Sequence, residues 1–353
     1  MNAVTPGCQP PAGLPKEVNV ARDRDRPTMQ DIADKVGVSK ALVSLVFRNA
    51  SGPSAETRQR VFAAADELGY RVNRTAALMT ARRTHHLGVT INIRNSFHAE
   101  IAEHIVAAAD RAGYEVVLGA VTPTHGETKV IETLLDFRCE GILLIGPELS
   151  NDALASLGKQ VPLVIIGRRV RADTLDVVRT ADGRGIGTVV DHLVGLGHRR
   201  VVHASGGSGV IAADRRNGYL RAMRRHGLGG RTDVIEGDFT ESAGNAAAQR
   251  LLATELPTAV VCANDRVAVG VVDALRRAGV DVPGEVSVTG YDDSMLARLG
   301  HIDLTSVSQK PQEQADQAVA AVIERLDSGR SDPRSAVLTP ELVVRTTTAP
   351  PGG

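Results

Sequence analysis

Apolar residues recur at helical spacing in three short runs near the start of the chain. Met29, Ile32, Ala33 and Val36 share one helical face, Leu42, Val43, Val46 and Phe47 a second, and Val61, Phe62, Ala65 and Leu68 a third. Each run carries its own punctuation. Thr28 is a good N-cap, with Asp31 placed to close a capping box. Gly37 ends the first helix and permits a tight turn. Ser39 caps the second helix. Pro53-Ser54 opens the third, with Glu56 favourable in its first turn, and Gly69 stops it. Two helices joined by a glycine turn, with a third closing a tiny core, is the helix-turn-helix plan.

Beyond residue 84 the pattern changes. Short apolar runs read as buried strands at Leu87–Ile93, Glu115–Ala120, Gly141–Ile145, Leu163–Ile166, Val201–Ala204, Ala259–Ala263 and Val286–Gly290. Amphipathic stretches between them read as helices, among them Glu100–Ala112, Thr188–Leu196, Arg216–His226, Ala243–Leu252 and Val267–Ala278. Buried strands alternating with helices predict doubly wound parallel sheets. There are too many strands for one tidy sheet, so two lobes are expected, with a break near Asp182-Gly183. The fold class is therefore α/β: a helix-turn-helix head followed by a two-lobed core.

Composition and charge sharpen this picture. A chain of 353 residues should hold more than one domain. No apolar run is long enough to span a membrane. Residues 1–27 are rich in Pro, Gly and charge, lack an apolar h-region, and read as a disordered tail with no signal peptide. The Asp/Arg alternation from Arg22 to Arg26 reads as solvated. The whole chain is formally neutral, yet residues 27–84 carry nine Lys/Arg against five Asp/Glu. A basic head on an acidic body concentrates phosphate attraction at the helical reader. Cys8, Cys139 and Cys262 are odd in number and far apart, which suggests a reducing, cytoplasmic compartment with neither a disulfide framework nor zinc spacing. His85-His86 and the His98/His104 pair lack partner ligands, so no metal or other cofactor is expected.

In doubly wound sheets ligands sit beyond the carboxyl ends of the strands. Ser96-Phe97 follows the first strand and Gly167-Arg168 the fourth. Asp214 to Tyr219 opens a helix, and Phe239 sits in Glu236-Gly237-Asp238-Phe239. Asn264-Asp265 and Tyr291-Asp292-Asp293 follow later strands. Arg, Asn and Asp offer matched donors and acceptors to hydroxyls, and an aromatic face covers a sugar ring. The expected effector-binding set is Ser96, Phe97, Arg168, Arg215, Phe239, Asn264 and Asp292. The plainer alternatives are that Arg215, Asn264 and Asp292 are interlobe structural hydrogen bonders and that Phe97 is core. Ser205-Gly206-Gly207-Ser208-Gly209 and Asp182-Gly183-Arg184-Gly185-Ile186-Gly187 lack the spacing of phosphate-binding fingerprints and read as cleft loops. No nucleophile–base pair stands out. Asp292-Asp293 are adjacent, and adjacent strand residues point apart, so they make a poor acid/base pair. An enzyme is not expected.

The segment Thr28 to Thr84 resembles the DNA-binding head of the LacI/GalR transcription-factor family. The matching words are Asp31-Ile32-Ala33, Gly37-Val38-Ser39, Val43-Ser44, Thr57-Arg58 with Val61, Leu68-Gly69-Tyr70, Asn73 and Arg83-Thr84. The resemblance runs through the body to about residue 348 and misses the first 27 residues. It implies a recognition helix at 40–47, with Lys40 and Ala41 in the leading base-reading positions. Ser39, Ser44, Ser54, Thr57 and Tyr70 would hold phosphates, with Thr28 and Gln30 near the backbone. Leu45 stands where many relatives place an Arg suited to guanine, which argues against the family's commonest half-site. The segment Asn73 to Ala81 matches a hinge helix that orders on DNA and wedges the minor groove. The wedge falls on Met79, and Val72 replaces the usual proline before Asn73.

For the body, the resemblance implies periplasmic-binding-protein-like lobes crossed three times by the chain. Residues near 311–327 would return to the first lobe and a last strand near 336–347 to the second. The expected domains are a tail at 1–27, a head at 28–72, a hinge helix and linker at 73–84, and a core at 85–353. Within the core, lobe 1 is about 85–181 and 311–327, and lobe 2 about 182–306 and 334–348. Positions matching Arg215, Phe239, Asn264 and Asp292 contact the effector in the family. Gly167 replaces an Asp that binds hydroxyls in relatives, and Arg168 beside it would change the preferred ligand's polarity. The implied protein is a homodimeric repressor of double-stranded operator DNA, controlled by a small polyhydroxylated effector such as a sugar. One alternative keeps the DNA head and makes the controlling partner a protein. A solute-binding protein would share the lobes but lack the head.

Overall fold

The computed structural model describes residues 27–48, 50–70 and 83–352. These form two compact units, one ending before Arg83 and one beginning there. The tail at 1–26 and the hinge at 73–81, with Asn73 and Met79, lie outside the described residues.

The first unit is α1 (Met29–Val36), α2 (Lys40–Phe47) and α3 (Ala55–Leu68). The capping box is present: Asp31 Oδ2 accepts from the Thr28 N–H at 2.6 Å, and Thr28 Oγ1 accepts from the Asp31 N–H at 3.3 Å. Ser39 Oγ accepts from the Leu42 N–H and Ser54 Oγ from the Thr57 N–H. Gly37 and Gly69 end α1 and α3 with φ of 75° and 64°, conformations that side chains with a Cβ resist. Ile32, Ala33, Val36, Val43, Val46, Val61, Ala64 and Ala65 form the core. Phe62 departs from the expected inner face. It is 47 % exposed and meets Phe47 edge-on at 5.7 Å.

The second unit runs β1 (His86–Asn92), α4 (Ser96–Arg111), β2 (Glu115–Val121), α5 (Glu127–Asp136), β3 (Gly141–Ile145), α6 (Asn151–Gly158), β4 (Leu163–Ile166) and β5 (Asp176–Thr180). It continues with α7 (Asp182–Gly195), β6 (Val201–Ala204), α8 (Val210–Arg225), β7 (Asp233–Ile235), α9 (Glu241–Leu252), β8 (Ala259–Cys262), α10 (Asp265–Arg277) and β9 (Ser287–Thr289). It ends with β10 (Ser306–Ser308), α11 (Pro311–Ser328), β11 (Ser335–Leu338) and β12 (Glu341–Val343).

Two parallel sheets result, in the orders β2-β1-β3-β4-β5-β11 and β7-β6-β8-β9. Side-chain alternation divides each strand between two cores. Leu143 and Ile145 face α4 and α11, while Ile142 and Leu144 face α5 and α6. In the second sheet Val202 and Val260 face α9 and α10, while Val201 and Val261 face α7 and α8. The chain crosses between lobes after β5, after β10 and after β11.

Several boundaries differ from the sequence reading. Strand β11 pairs parallel with β5, in register from Ser335 on Val177 to Leu338 on Thr180, so it completes the first sheet. The expected return to the second lobe starts only after Pro340, where β12 pairs antiparallel with β10. The apolar pattern of 336–347 reveals a strand but not its partner. Asp182 to Gly187 forms the first turns of α7 and is not a loop. Helices α4, α7 and α8 start several residues before the apolar periodicity becomes visible. Arg83 and Thr84, expected in the linker, are held by the first lobe. Arg83 donates to Glu140 and Asp327 at 2.9 Å each, and Thr84 Oγ1 donates to the Arg138 carbonyl.

Asp176 on β5 is fully buried. It accepts from Arg325 Nε at 2.9 Å, Arg330 Nη2 at 2.6 Å and the Arg334 N–H at 2.7 Å. These partners hold its carboxyl below its ordinary value despite the opposing effect of burial.

Candidate functional site

In the head, Lys40 and Ala41 are exposed on the first turn of α2. Helix α2 contains no acidic residue, so its positive N-terminal end and Lys40 act in the same sense toward an anion. Ser39, Thr28, Gln30 and Ser54 are exposed, while Ser44, Leu45, Thr57 and Tyr70 are half-buried. The Ser54 and Thr57 hydroxyls lie 2.9 Å apart at the start of α3. Gln30 Nε2 donates to Asp34, and the Tyr70 ring tilts against Phe47 at 5.4 Å.

In the core, the second lobe gathers its polar residues at strand ends. Arg215, on α8, is 4 % exposed. Its Nε donates to Asp182 Oδ1 at 2.8 Å, and its Nη1 donates to the Ala263 carbonyl at 2.6 Å and to Asp292 Oδ1 at 3.5 Å. The guanidinium lies 3.8 Å from the Tyr291 ring centre and 5.9 Å from that of Phe239. Burial disfavours the Arg215 charge, but Asp182 and Asp292 more than offset it and raise its pKa. Asp292 Oδ1 also accepts from Gln309 Nε2 at 2.6 Å, and Gln309 Oε1 accepts from Thr180 Oγ1 at 3.0 Å. The cluster is thus tied to the first two interlobe crossings.

Three neighbouring carboxyls are pushed upward. Burial is the main cause for Asp182, for Asp292 (to about 6) and for Asp265 (to about 8), and like charge adds to it, from Asp214 on Asp182, from Asp182 on Asp292 and from Asp292 on Asp265. Asp265 is held by Ser294, whose N–H and hydroxyl donate to Oδ2 at 2.7 and 2.9 Å.

Asn264 is 1 % exposed and committed to its own lobe. Its Oδ1 caps α10 through the Val267 N–H, and its Nδ2 donates to the Phe239 carbonyl at 3.3 Å. The Phe239 ring is half-buried against Gly206, where an added Cβ would fall 2.3 Å from a ring carbon. Asp292 and Asp293 both have positive φ and diverge at a bend: Asp293 pairs with Arg345 at 2.6 Å.

The first-lobe residues expected at the cleft are placed differently. Phe97 is 6 % exposed within the core packed on α4. Arg168 is spent on its own loop, donating to the Pro147 and Leu149 carbonyls and to Asn151 Oδ1 at 2.8 to 2.9 Å. Loop 147–151 is fixed in turn by Glu127, which accepts from the Glu148 and Leu149 N–H groups. Arg168 is therefore a loop clamp, with its guanidinium committed to that loop. The Ser96 hydroxyl is buried without a partner among the described residues.

Sequence reasoning missed Arg169, Asp182, Gln309 and the pair formed by Glu100 and Arg298. Arg169 reaches across the cleft and grips both carboxylate oxygens of Asp214. Glu100 on α4 accepts from Arg298 Nη2 at 2.7 Å and from the Met295 N–H. Residues 100 and 169 follow β1 and β4, with β3 between them. Residues 214 and 298 follow β6 and β9, with β8 between them. The two interlobe ion pairs therefore bracket the strand ends that carry Gly146 and Asn264. Their only sequence signal was a position beyond a strand end.

A separate groove of about 850 Å³ lies on the outer side of the second lobe between α9 and α10, lined by Glu241, Asn245, Asp273 and His301 among others. It contains none of the strand-end set.

Comparison with known proteins agrees with this architecture. Residues 28–73 match the model of bacterial regulatory proteins of the lacI family, and residues 190–348 match a periplasmic binding protein-like domain. The HTH-type transcriptional regulator DegA of Bacillus subtilis (strain 168) is 30 % identical over 331 residues, covering 92 % of this chain and 98 % of that protein. The lac repressor dimer bound to operator and the anti-inducer ONPF is 27 % identical with a TM-score of 0.78, covering 92 % and 99 % of the two chains. The complex of the transcriptional regulator CelR with cellobiose is 28 % identical with a TM-score of 0.67, covering 91 % and 100 %. A helix-turn-helix unit in front of two parallel-sheet lobes, matched along nearly the whole chain, makes this protein a DNA-binding transcriptional regulator of the LacI family.

Proposed function

We propose that this regulator is a cytoplasmic homodimeric repressor whose operator affinity is set by a small polyhydroxylated effector, a sugar or sugar derivative, bound between the two lobes. The observation that carries the reading is the buried Arg215, held by Asp182 and Asp292 beneath the Phe239 ring at the strand ends of the second lobe. That cluster joins ring faces to charged hydrogen-bond partners, as polyol recognition requires. It is also wired to the crossings through Gln309, so a ligand that pulls on Asp292 pulls on the joint between the lobes. The cellobiose complex of CelR supports a sugar in the equivalent architecture.

In this reading Lys40, Ala41 and Leu45 face base edges, and Ser39, Ser44, Ser54, Thr57 and Tyr70 hold phosphates. One recognition helix reads few base pairs, so two copies on a near-palindrome about one DNA turn apart supply the specificity. The test is binding-site selection with the purified protein, followed by a metabolite screen for shifts in melting temperature and in operator affinity. Coupling between the two ligands must be reciprocal. A protein that binds a single asymmetric half-site at full affinity, or whose operator binding no metabolite changes, refutes the corresponding part of the proposal.

A further inference from the structure

We infer that Asp214 is a specificity device: it occupies Arg169 in the manner of a bound anion, so that the interlobe site admits neutral or amino sugars and rejects phosphorylated or carboxylated ones. The inference rests on the reading that the effector enters between the lobes.

Arg168, Arg169 and Arg215 bring guanidinium groups to the strand ends. Arg168 is consumed by the Pro147 and Leu149 carbonyls and Asn151. Arg215 is consumed by Asp182, Ala263 and Asp292. Arg169 differs from both. Its side chain is 54 % exposed, and its partner comes from the opposite lobe. A planar guanidinium that faces solvent at a cleft mouth is the group best suited to grip a phosphate or carboxylate through two parallel N–H bonds. Asp214 takes that place, with Nε donating to Oδ2 at 2.7 Å and Nη2 donating to Oδ1. The Asp214 side chain is 16 % exposed, so the pair is partly shielded from water.

Neutral hydroxyls of Ser96, Ser205 and Tyr291 stay unpartnered among the described residues, and so do two carboxylate oxygens. Among the described residues, neither Asp182 nor Asp292 has a hydrogen-bond donor on Oδ2. Asp182 also feels Asp214 as a like charge. A ligand phosphate would meet these carboxylates and find Arg169 already neutralised. A hydroxyl or ammonium group would instead donate to the open oxygens without meeting like charge from the carboxylates.

The experiment uses the full chain and inorganic phosphate as the anion probe, with chloride at equal ionic strength as reference. Phosphate stabilises folded proteins generally, so the wild type sets the baseline, and its shift between the two salts is expected to be unchanged by Arg169→Ala. Asp214→Asn is expected to melt progressively higher than that baseline as phosphate rises, and the Arg169→Ala/Asp214→Asn double variant is expected to lose the excess. Overturning results are an Arg169-dependent phosphate shift in the wild type, or a folded Asp214→Asn variant with none. In the metabolite screen, a phosphorylated or carboxylated sugar that stabilises the wild type also overturns the inference. If no sugar of any charge binds, the small-effector reading fails, while the phosphate measurements still decide whether Asp214 guards Arg169.

Discussion

The Arg215 guanidinium lies 3.8 Å from the centre of the Tyr291 ring and donates to Asp182 at 2.8 Å, all within the second lobe. It is therefore part of that lobe's core as well as of the strand-end cluster. Deleting one partner of a buried ion pair leaves the others uncompensated and typically costs about 3–5 kcal/mol. Arg215→Ala is expected to lower core stability on that scale, as read by urea unfolding. Asp292→Asn keeps an acceptor for Gln309 and should fold normally. It should keep ligand-free operator binding near the parent level while losing the response to effector. A normal effector response in folded Asp292→Asn would remove this residue from the site.

The raised carboxyls give stability a definite pH dependence. A folded acid with a raised pKa holds a proton that the unfolded chain has released, so stability falls as pH rises toward the folded value. For Asp265 that decline extends to about pH 8, and for Asp292 to about pH 6. Burial pushes His98 and His203 down to about 4, so their contribution has the opposite sign and acts from about pH 4 up to the ordinary histidine value of about 6.5. Between about pH 6.5 and 8 the Asp265 decline is left exposed, at most about 1.4 kcal/mol per pH unit. Asp265→Asn should flatten this limb in denaturant titrations. A wild-type protein equally stable at both ends of the window would contradict it.

Helix α2 gives a prediction about base choice. Leu45→Arg should shift one half-site position toward guanine by roughly 1–3 kcal/mol, the usual worth of a bidentate contact. Lys40→Ala should weaken binding and relax one position. If site selection returns the parent motif for both variants, α2 is not the reading helix.

Gly206 supports the Phe239 ring by lacking a side chain. The Cβ of Gly206→Ala would fall 2.3 Å from a ring carbon, so the ring must swing away. Because the displaced atoms are the free end of a side chain, the stability change should be small. The effect should appear in calorimetry as weakened effector binding, with Phe239→Ala giving a similar loss. Unchanged affinity in both would take the ring out of the ligand site.

Much of this architecture was legible in the sequence. Capping residues, helix-period apolar runs and glycine stops located the head, because local chemistry decides short helices there. Strands with both faces buried announced themselves as continuous apolar runs. Pairing was less visible: Ser335–Leu338 is a short edge strand whose partner lies far back in the chain, and nothing local specifies it. The residues named for the cleft do stand at strand ends, but their side chains were read unevenly. Arg168 and Asn264 stand at the expected places, yet each is turned onto its own lobe's backbone by acceptors or donors that only the fold supplies. Arg169 and Asp214 lie far apart in the chain, and the ion pair between them exists only once the lobes face each other.

The placement of β11 bears on how the chain is made. A ribosome delivers Ser335–Leu338 after all of the second lobe but its last strand, although the strand belongs to the first. Until then the first sheet ends at β5 with an open edge. Asp176 on that strand also waits for Arg325, Arg330 and the Arg334 backbone. The first lobe is therefore first to begin and nearly last to finish. A nonsense mutation between residues 177 and 325 strips partners from a carboxylate in its interior, and fragments ending there should be cleared by proteolysis rather than persist as free heads with one working lobe.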